Sequence, residues 1–200
     1  MSQHIRLIST TGILLPILLL ASCQSVQQSQ VSVDYYKISG SSTEDLDSEI
    51  KRKGPKINGG LHAVAIARIK MFPKVTYARQ GKGCRVDTAK VAVNAKVTLP
   101  KWTGRRTASR KLGKAWDNID RYTRAHEATH VNLAFDYAKR IEDNVLALPA
   151  MDDCERLRAE TKSIVDHYLK LHDAAQRKFD ADEQSRFSAL ARQQKIAQSL

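Results

Sequence analysis

The chain has 200 residues, a formal net charge of +12, and 42% hydrophobic and 27% charged residues. Once an N-terminal export segment is set aside, that length suffices for one domain with a real core. Its Lys and Arg are scattered (Lys51-Arg52-Lys53, Arg105-Arg106, Arg110-Lys111, Arg156, Arg158) and are not interleaved with aromatics on one platform. This argues against nucleic acid as a partner and favours anionic lipid or acidic wall polymers.

In chain order, Met1–Arg6 is a short head, and Leu7–Ala21 is apolar apart from Ser9, Thr10 and Thr11, with the run Ile13–Leu20 broken by Pro16. The run is too short to span a bilayer and suits a secretory signal. It closes on Leu20-Ala21-Ser22-Cys23, which resembles the lipobox of bacterial lipoproteins. Residues 1–22 are therefore the expected signal peptide, and Cys23 is the expected lipidation site and membrane anchor. Ordinary cleavage near Ala21 or Ser22 is the alternative. Gln24, standing where an Asp would favour inner-membrane retention, points to the outer membrane, with the domain on the periplasmic side of the envelope. With Cys23 lipidated, Cys84 and Cys154 remain as one disulfide pair, as an oxidising compartment favours.

Residues 23–30 read as a polar tether and 31–200 as a single domain, mainly β to residue 100 and helical from 101. Val31–Ser39 has strand character. Ser41 or Ser42 can cap a helix over Thr43–Lys53, acidic at its start and basic at its end. Two β-rich stretches follow, His62–Tyr77, broken near Pro73, and Arg85–Leu99, ended by Pro100. Gly81-Lys82-Gly83 between them predicts an antiparallel hairpin. From about Lys114 to Leu146, apolar and His residues recur at three- and four-residue steps (Ile119, Tyr122, His126, His130, Leu133, Tyr137, Ile141, Val145). After Leu148-Pro149, Asp152 or Asp153 can cap a second long helix with the stripe Leu157, Ile164, Tyr168, Leu171, Ala175, Phe179. The expected class is α+β: a small antiparallel sheet packed on a long antiparallel helical hairpin.

The chemistry centres on His126-Glu127-Ala128-Thr129-His130, an H-E-x-x-H sequence within the first long helix. Residues four apart share a helix face, so both imidazoles can reach one zinc ion. Glu127 is rotated away from them, where it can act as the catalytic base on a water held by the metal. A catalytic zinc site needs a third protein ligand. If the helix turn centres near Ala150, His126 and His130 lie level with about residues 174 and 170 of the second helix. Glu155 and Glu160 are then several turns away. His167, His172, Asp173 and, further along, Asp180 are at the right level. On a straight helix Asp173 and Asp180 point off the stripe whereas His172 flanks it, which makes His172 the expected third ligand. Asp136 is discounted because the helix runs on through Leu133.

The residues Gly54-Pro55, Cys84, Leu99-Pro100-Lys101-Trp102, His126-Glu127-x-x-His130, Leu148-Pro149 and Cys154 together resemble domain-of-unknown-function family 922. Those are bacterial secreted proteins predicted to be zinc-dependent proteases, and the resemblance runs from about Tyr36 to Asp180. It implies a zincin-like domain with zinc as cofactor and a peptide or protein as substrate. Members often continue with an aromatic-Asp-x-x-Thr-x-His-Gly segment. Here Phe179-Asp180 stands, but Ser185-Arg186 occupies the His-Gly positions. If that His completes the site in relatives, Asp180 or His172 must substitute, and Asp180 is the runner-up for third ligand.

The leading expectation is therefore a zinc metallopeptidase of the envelope, whose substrate strand lies along an exposed sheet edge such as Arg85–Leu99. The alternative is a non-catalytic envelope lipoprotein using the same fold for binding or scaffolding. A metal-dependent amidase acting on wall peptides is a third possibility.

Overall fold

Ser42 begins the first helix: its hydroxyl accepts the Asp45 amide, and Asp45 returns a bond to the Ser42 amide. This reciprocal pair satisfies two amides that the first turn leaves free. The computed structural model describes residues 28–198, so the expected signal peptide and the lipidation site Cys23 lie outside the described residues. The elements are β1 (Gln30–Ile38), α1 (Thr43–Lys53), β2 (Ile66–Gln80), β3 (Gly83–Trp102), α2 (Arg110–Leu146) and α3 (Cys154–Gln198). The class is α+β, with three α-helices and one three-stranded sheet of order β1-β3-β2 among the described residues. None of the described helices is long and apolar enough to cross a membrane.

The expected antiparallel sheet is corrected to a mixed one. β2 and β3 form the hairpin, from Ile66↔Thr98 to Gln80↔Gly83, and Gly81 supplies the left-handed φ of 59° at the turn. β1, however, pairs parallel with β3, from Gln30↔Asn94 to Ile38↔Trp102. The reason is the crossover. The chain turns back through α1, which is anchored on the end of β1 by the cluster of Ile38, Leu46, Trp102 and Trp116. It enters the sheet as β2 on the far side of β3, and β3, antiparallel to β2, is left parallel to β1. β2 runs straight through Pro73, where a break was expected, because as an edge strand it has one side with no ladder bonds to lose. β3 likewise continues past Pro100 to Trp102.

The main core lies between sheet and helices. Val86, Ala89, Val91 and Val93 of β3 pack on Ala134, Ala138, Ile141 and Val145 of α2 and on Leu157 of α3. The start of α3 is tied to the start of β3 by the Cys84–Cys154 disulfide, with Cα atoms 5.2 Å apart. Cys84 and Met151 also exchange two backbone hydrogen bonds, both 2.8 Å. A Cβ on Gly83 would sit 2.1 Å from the Met151 carbonyl, so only glycine permits this approach. Asp153 then accepts the Glu155 amide at 2.9 Å, one of the two expected caps. Because α3 starts at a covalently fixed point, the residues it presents to α2 some turns later are fixed as well.

Candidate metal centre

The buried face of α2 is Trp116, Thr123, Glu127, Val131, Ala134, Ala138, Ile141 and Val145. It is rotated from the stripe expected from sequence, whose first members Ile119 and Tyr122 are 49% and 39% exposed. Small residues at 134 and 138 let α2 lie close on the sheet, so Glu127 faces inward and is buried, while His126 and His130 occupy the flank toward α3. Partners along the two helices run in opposite order: Tyr122 with Glu183, His126 with Asp180, His130 with Gln176, and Tyr137 with His172.

Three donor atoms converge. His126 Nε2 and His130 Nε2 are 3.2 Å apart, and Asp180 Oδ1 is 3.3 Å from the first and 3.0 Å from the second. Among the described residues, His126, His130 and Asp180 form a group that could hold a metal ion. The spacing suits one. A tetrahedral ion with bonds of about 2.0–2.1 Å keeps its ligand atoms about 3.3–3.4 Å apart. Two imidazole nitrogens and one carboxylate oxygen are the donor set of an open, catalytic-type zinc site, in which a fourth position stays free. Phe179 packs on both imidazoles, with ring centroids 4.8 and 5.0 Å away.

Burial, and then the neighbouring His130, push the His126 pKa down, against the opposing pull of Asp180 and Glu183. That favours the neutral imidazole a metal requires. Burial pushes the Glu127 carboxyl up, with His130 and the Ala67 backbone pulling the other way. Glu127, His126, His130 and Asp180 line one cleft of about 480 Å³, whose opposite wall includes Ala63, Ala65 and Ala67. Ala67 belongs to β2, an edge strand.

The sequence expectation for the third donor was His172, with Asp180 as runner-up. The structure brings Asp180 to the two histidines and places His172 one step behind, with Nε2 2.7 Å from the Gln176 side-chain nitrogen. The register of α3 against α2 is shifted by about six residues from that expected for a turn centred near Ala150, so the level of His126 is Asp180 and not residue 174. The three-donor group forms without residue 185, which is Ser here. Arg186 turns instead to Glu183, at 2.7 Å, which also accepts the Tyr122 hydroxyl at 2.5 Å.

Sequence reasoning missed Gln176. Its signal was present as the row His172, Gln176, Asp180 at four-residue steps, one ridge of α3 facing the His126–His130 ridge of α2.

No curated protein and no solved structure matches the chain. The family model described as "Bacterial protein of unknown function (DUF922)" matches residues 33–187, which takes in most of β1, the β2–β3 hairpin, the donor group and the disulfide, and the chain belongs to that family.

Proposed function

We propose that the protein is a zinc-dependent metallopeptidase of the bacterial envelope. In this reading it is exported by residues 1–22, lipid-anchored at Cys23 on the periplasmic side of the outer membrane, and acts on a peptide or protein substrate. Residues 31–200 are then a single zincin-like domain, with α2 and α3 as a long antiparallel hairpin carrying the H-E-x-x-H sequence. The opposite order of partners along the helices supports that arrangement.

The observation that carries the proposal is the convergence of His126 Nε2, His130 Nε2 and Asp180 Oδ1 beside the buried carboxylate of Glu127. Zinc, when bound by these three residues, supplies the Lewis acidity that polarises a scissile carbonyl and acidifies water. Glu127, on the cleft wall and raised in pKa by burial, is suited to accept a proton there and return it to the leaving amine. The substrate strand has a natural place, though not the one expected. β3 is the central strand and carries β1 on its other side from Asn94 onward, the stretch level with the cleft (Ala67↔Val97, Ile69↔Ala95), so Arg85–Leu99 offers no edge there. β2 does, and its outer edge borders the cleft at Ile66, Ala67 and Ile69, where an extended peptide can add as a strand.

Elemental analysis of the purified protein tests the centre. The expected result is about one zinc per chain, lost in His126→Ala. Hydrolysis of protein and of wall-type peptides then tests the reaction. Glu127→Gln is expected to retain metal and lose at least about 100-fold in rate. Absence of metal after reconstitution refutes the enzyme and leaves a binding module.

A further inference from the structure

Behind the donor group stands a chain of polar side chains that the peptidase reading does not itself require. The Gln176 amide nitrogen is 3.0 Å from the backbone carbonyl of His130. A carbonyl only accepts, so that end of the amide is the NH2. The other end, Oε1, is then an acceptor, and it lies 2.5 Å from His130 Nδ1. His130 Nδ1 must therefore carry a proton to donate, and the lone pair of the neutral ring falls on Nε2, the atom that meets His126 and Asp180.

The second amide proton of Gln176 points to His172 Nε2 at 2.7 Å, which must accept it. His172 Nδ1 consequently keeps its own proton, with Asp173 Oδ1 3.3 Å away. His172 is only 7% exposed, so this arrangement is sheltered from competing water. His126 differs: its buried Nδ1 has no protein partner among the described residues. One of the two histidines is locked and the other is not. The lock also leaves two acceptors, His130 Nε2 and Asp180 Oδ1, facing each other at 3.0 Å, an arrangement that calls for a proton or a cation between them.

We propose that Gln176 and His172 are positioning residues, a relay that holds His130 in its Nδ1–H tautomer so that Nε2 is presented as a metal donor. The inference rests on the donor group of the proposed function but not on peptidase activity. Partners of this kind orient a ligating imidazole and raise its basicity, and their loss costs about 10–100-fold in metal affinity. His172, expected from sequence to bind the metal itself, thereby acts through Gln176.

The test has two readouts on the full chain, neither of them activity. In the metal-free protein, nitrogen NMR of His130 is expected to show a protonated Nδ1 and an unprotonated Nε2, and a mixture of tautomers in Gln176→Leu. Zinc affinity, measured by competition with a chelator, is expected to fall about 10–100-fold in Gln176→Leu and by a similar factor in His172→Phe. His172→Gln, whose amide oxygen can accept the same Gln176 proton, is expected to recover most of the loss. A wild-type His130 protonated on Nε2 overturns the proposal, and so does unchanged zinc affinity in a folded Gln176→Leu. Should Gln176→Leu fail to fold, the wild-type spectrum and the His172 pair decide. If the wild type binds no zinc, the metal reading fails, while the tautomer measurement still judges the relay.

Discussion

Replacing Asp180 by Asn separates a metal ligand from an ordinary surface carboxylate. Asp180 is the exposed member of the group, with its side chain 57% accessible. In the metal-free protein its contacts with the two histidines are screened by water and are worth no more than about 1 kcal/mol. The apo melting temperature should therefore move by less than about 4 °C, at 2–4 °C per kcal/mol for a chain of this length. With metal the expectation differs sharply. Zinc at about 100 times its Kd stabilises the wild type by about 2.7 kcal/mol, a rise of about 5–10 °C. Losing a direct ligand must cost at least the upper limit for an indirect partner, about 100-fold. At the same zinc concentration the variant is then near its own Kd and gains only about 0.4 kcal/mol, or about 1 °C. Paired melting curves with and without zinc measure this directly. Asp182→Asn serves as the control, since Asp182 lies on the same helix, is equally exposed and pairs with Lys178. A full zinc-induced shift in Asp180→Asn, or an equal loss in the Asp182 control, refutes the assignment.

Other expectations concern the scaffold. Removing the Cys84–Cys154 bridge by double replacement with Ser should cost about 4 kcal/mol by the chain-entropy estimate for its separation of 70 residues, as read by denaturant unfolding. Leu157, with no exposed surface in the cluster joining β3, α2 and α3, should cost about 2–5 kcal/mol as Leu157→Ala, with the denaturant slope unchanged. Burial pushes the Tyr36 phenol up to about 12, and its hydroxyl donates to the Val64 carbonyl at 2.7 Å. Because the folded pKa exceeds the unfolded value of about 10, this stability is complete below about pH 10 and lost as pH rises through about 12. Tyrosinate absorbance should show late titration at Tyr36 that Tyr36→Phe removes, while Tyr122, also pushed up by burial and by Glu183, still titrates late.

Much of this molecule was legible from local signals. The spacing of His126, Glu127 and His130 places two imidazoles on one helical face whatever surrounds them. Likewise the acidic-to-basic gradient and serine cap of Thr43–Lys53, and the Gly81-Lys82-Gly83 turn, act within a few residues of chain. These features need no distant partner to take their form, and the observed α1 and β2–β3 hairpin follow them. The pairing of Cys84 with Cys154 followed from setting the remaining cysteine aside for the lipid.

What depended on distant parts of the chain was decided only in three dimensions. The parallel pairing of β1 with β3 comes from the crossover through α1, and no alternation within β1 encodes its direction. The true inward face of α2 was set by Ala134 and Ala138 closing on the sheet, which turned Glu127 inward and moved the histidines to the flank. The exchange of His172 for Asp180 at the centre has the same origin. A helical wheel fixes a residue's angle about its own axis but not the longitudinal register of one helix against another. A shift of about six residues, under two turns, carries a different side chain to the donor group. That register is imposed where the disulfide and the Cys84–Met151 bonds fix the start of α3. The sequence by itself therefore determined which residues can bind a metal, and the tertiary structure decided which of them meet.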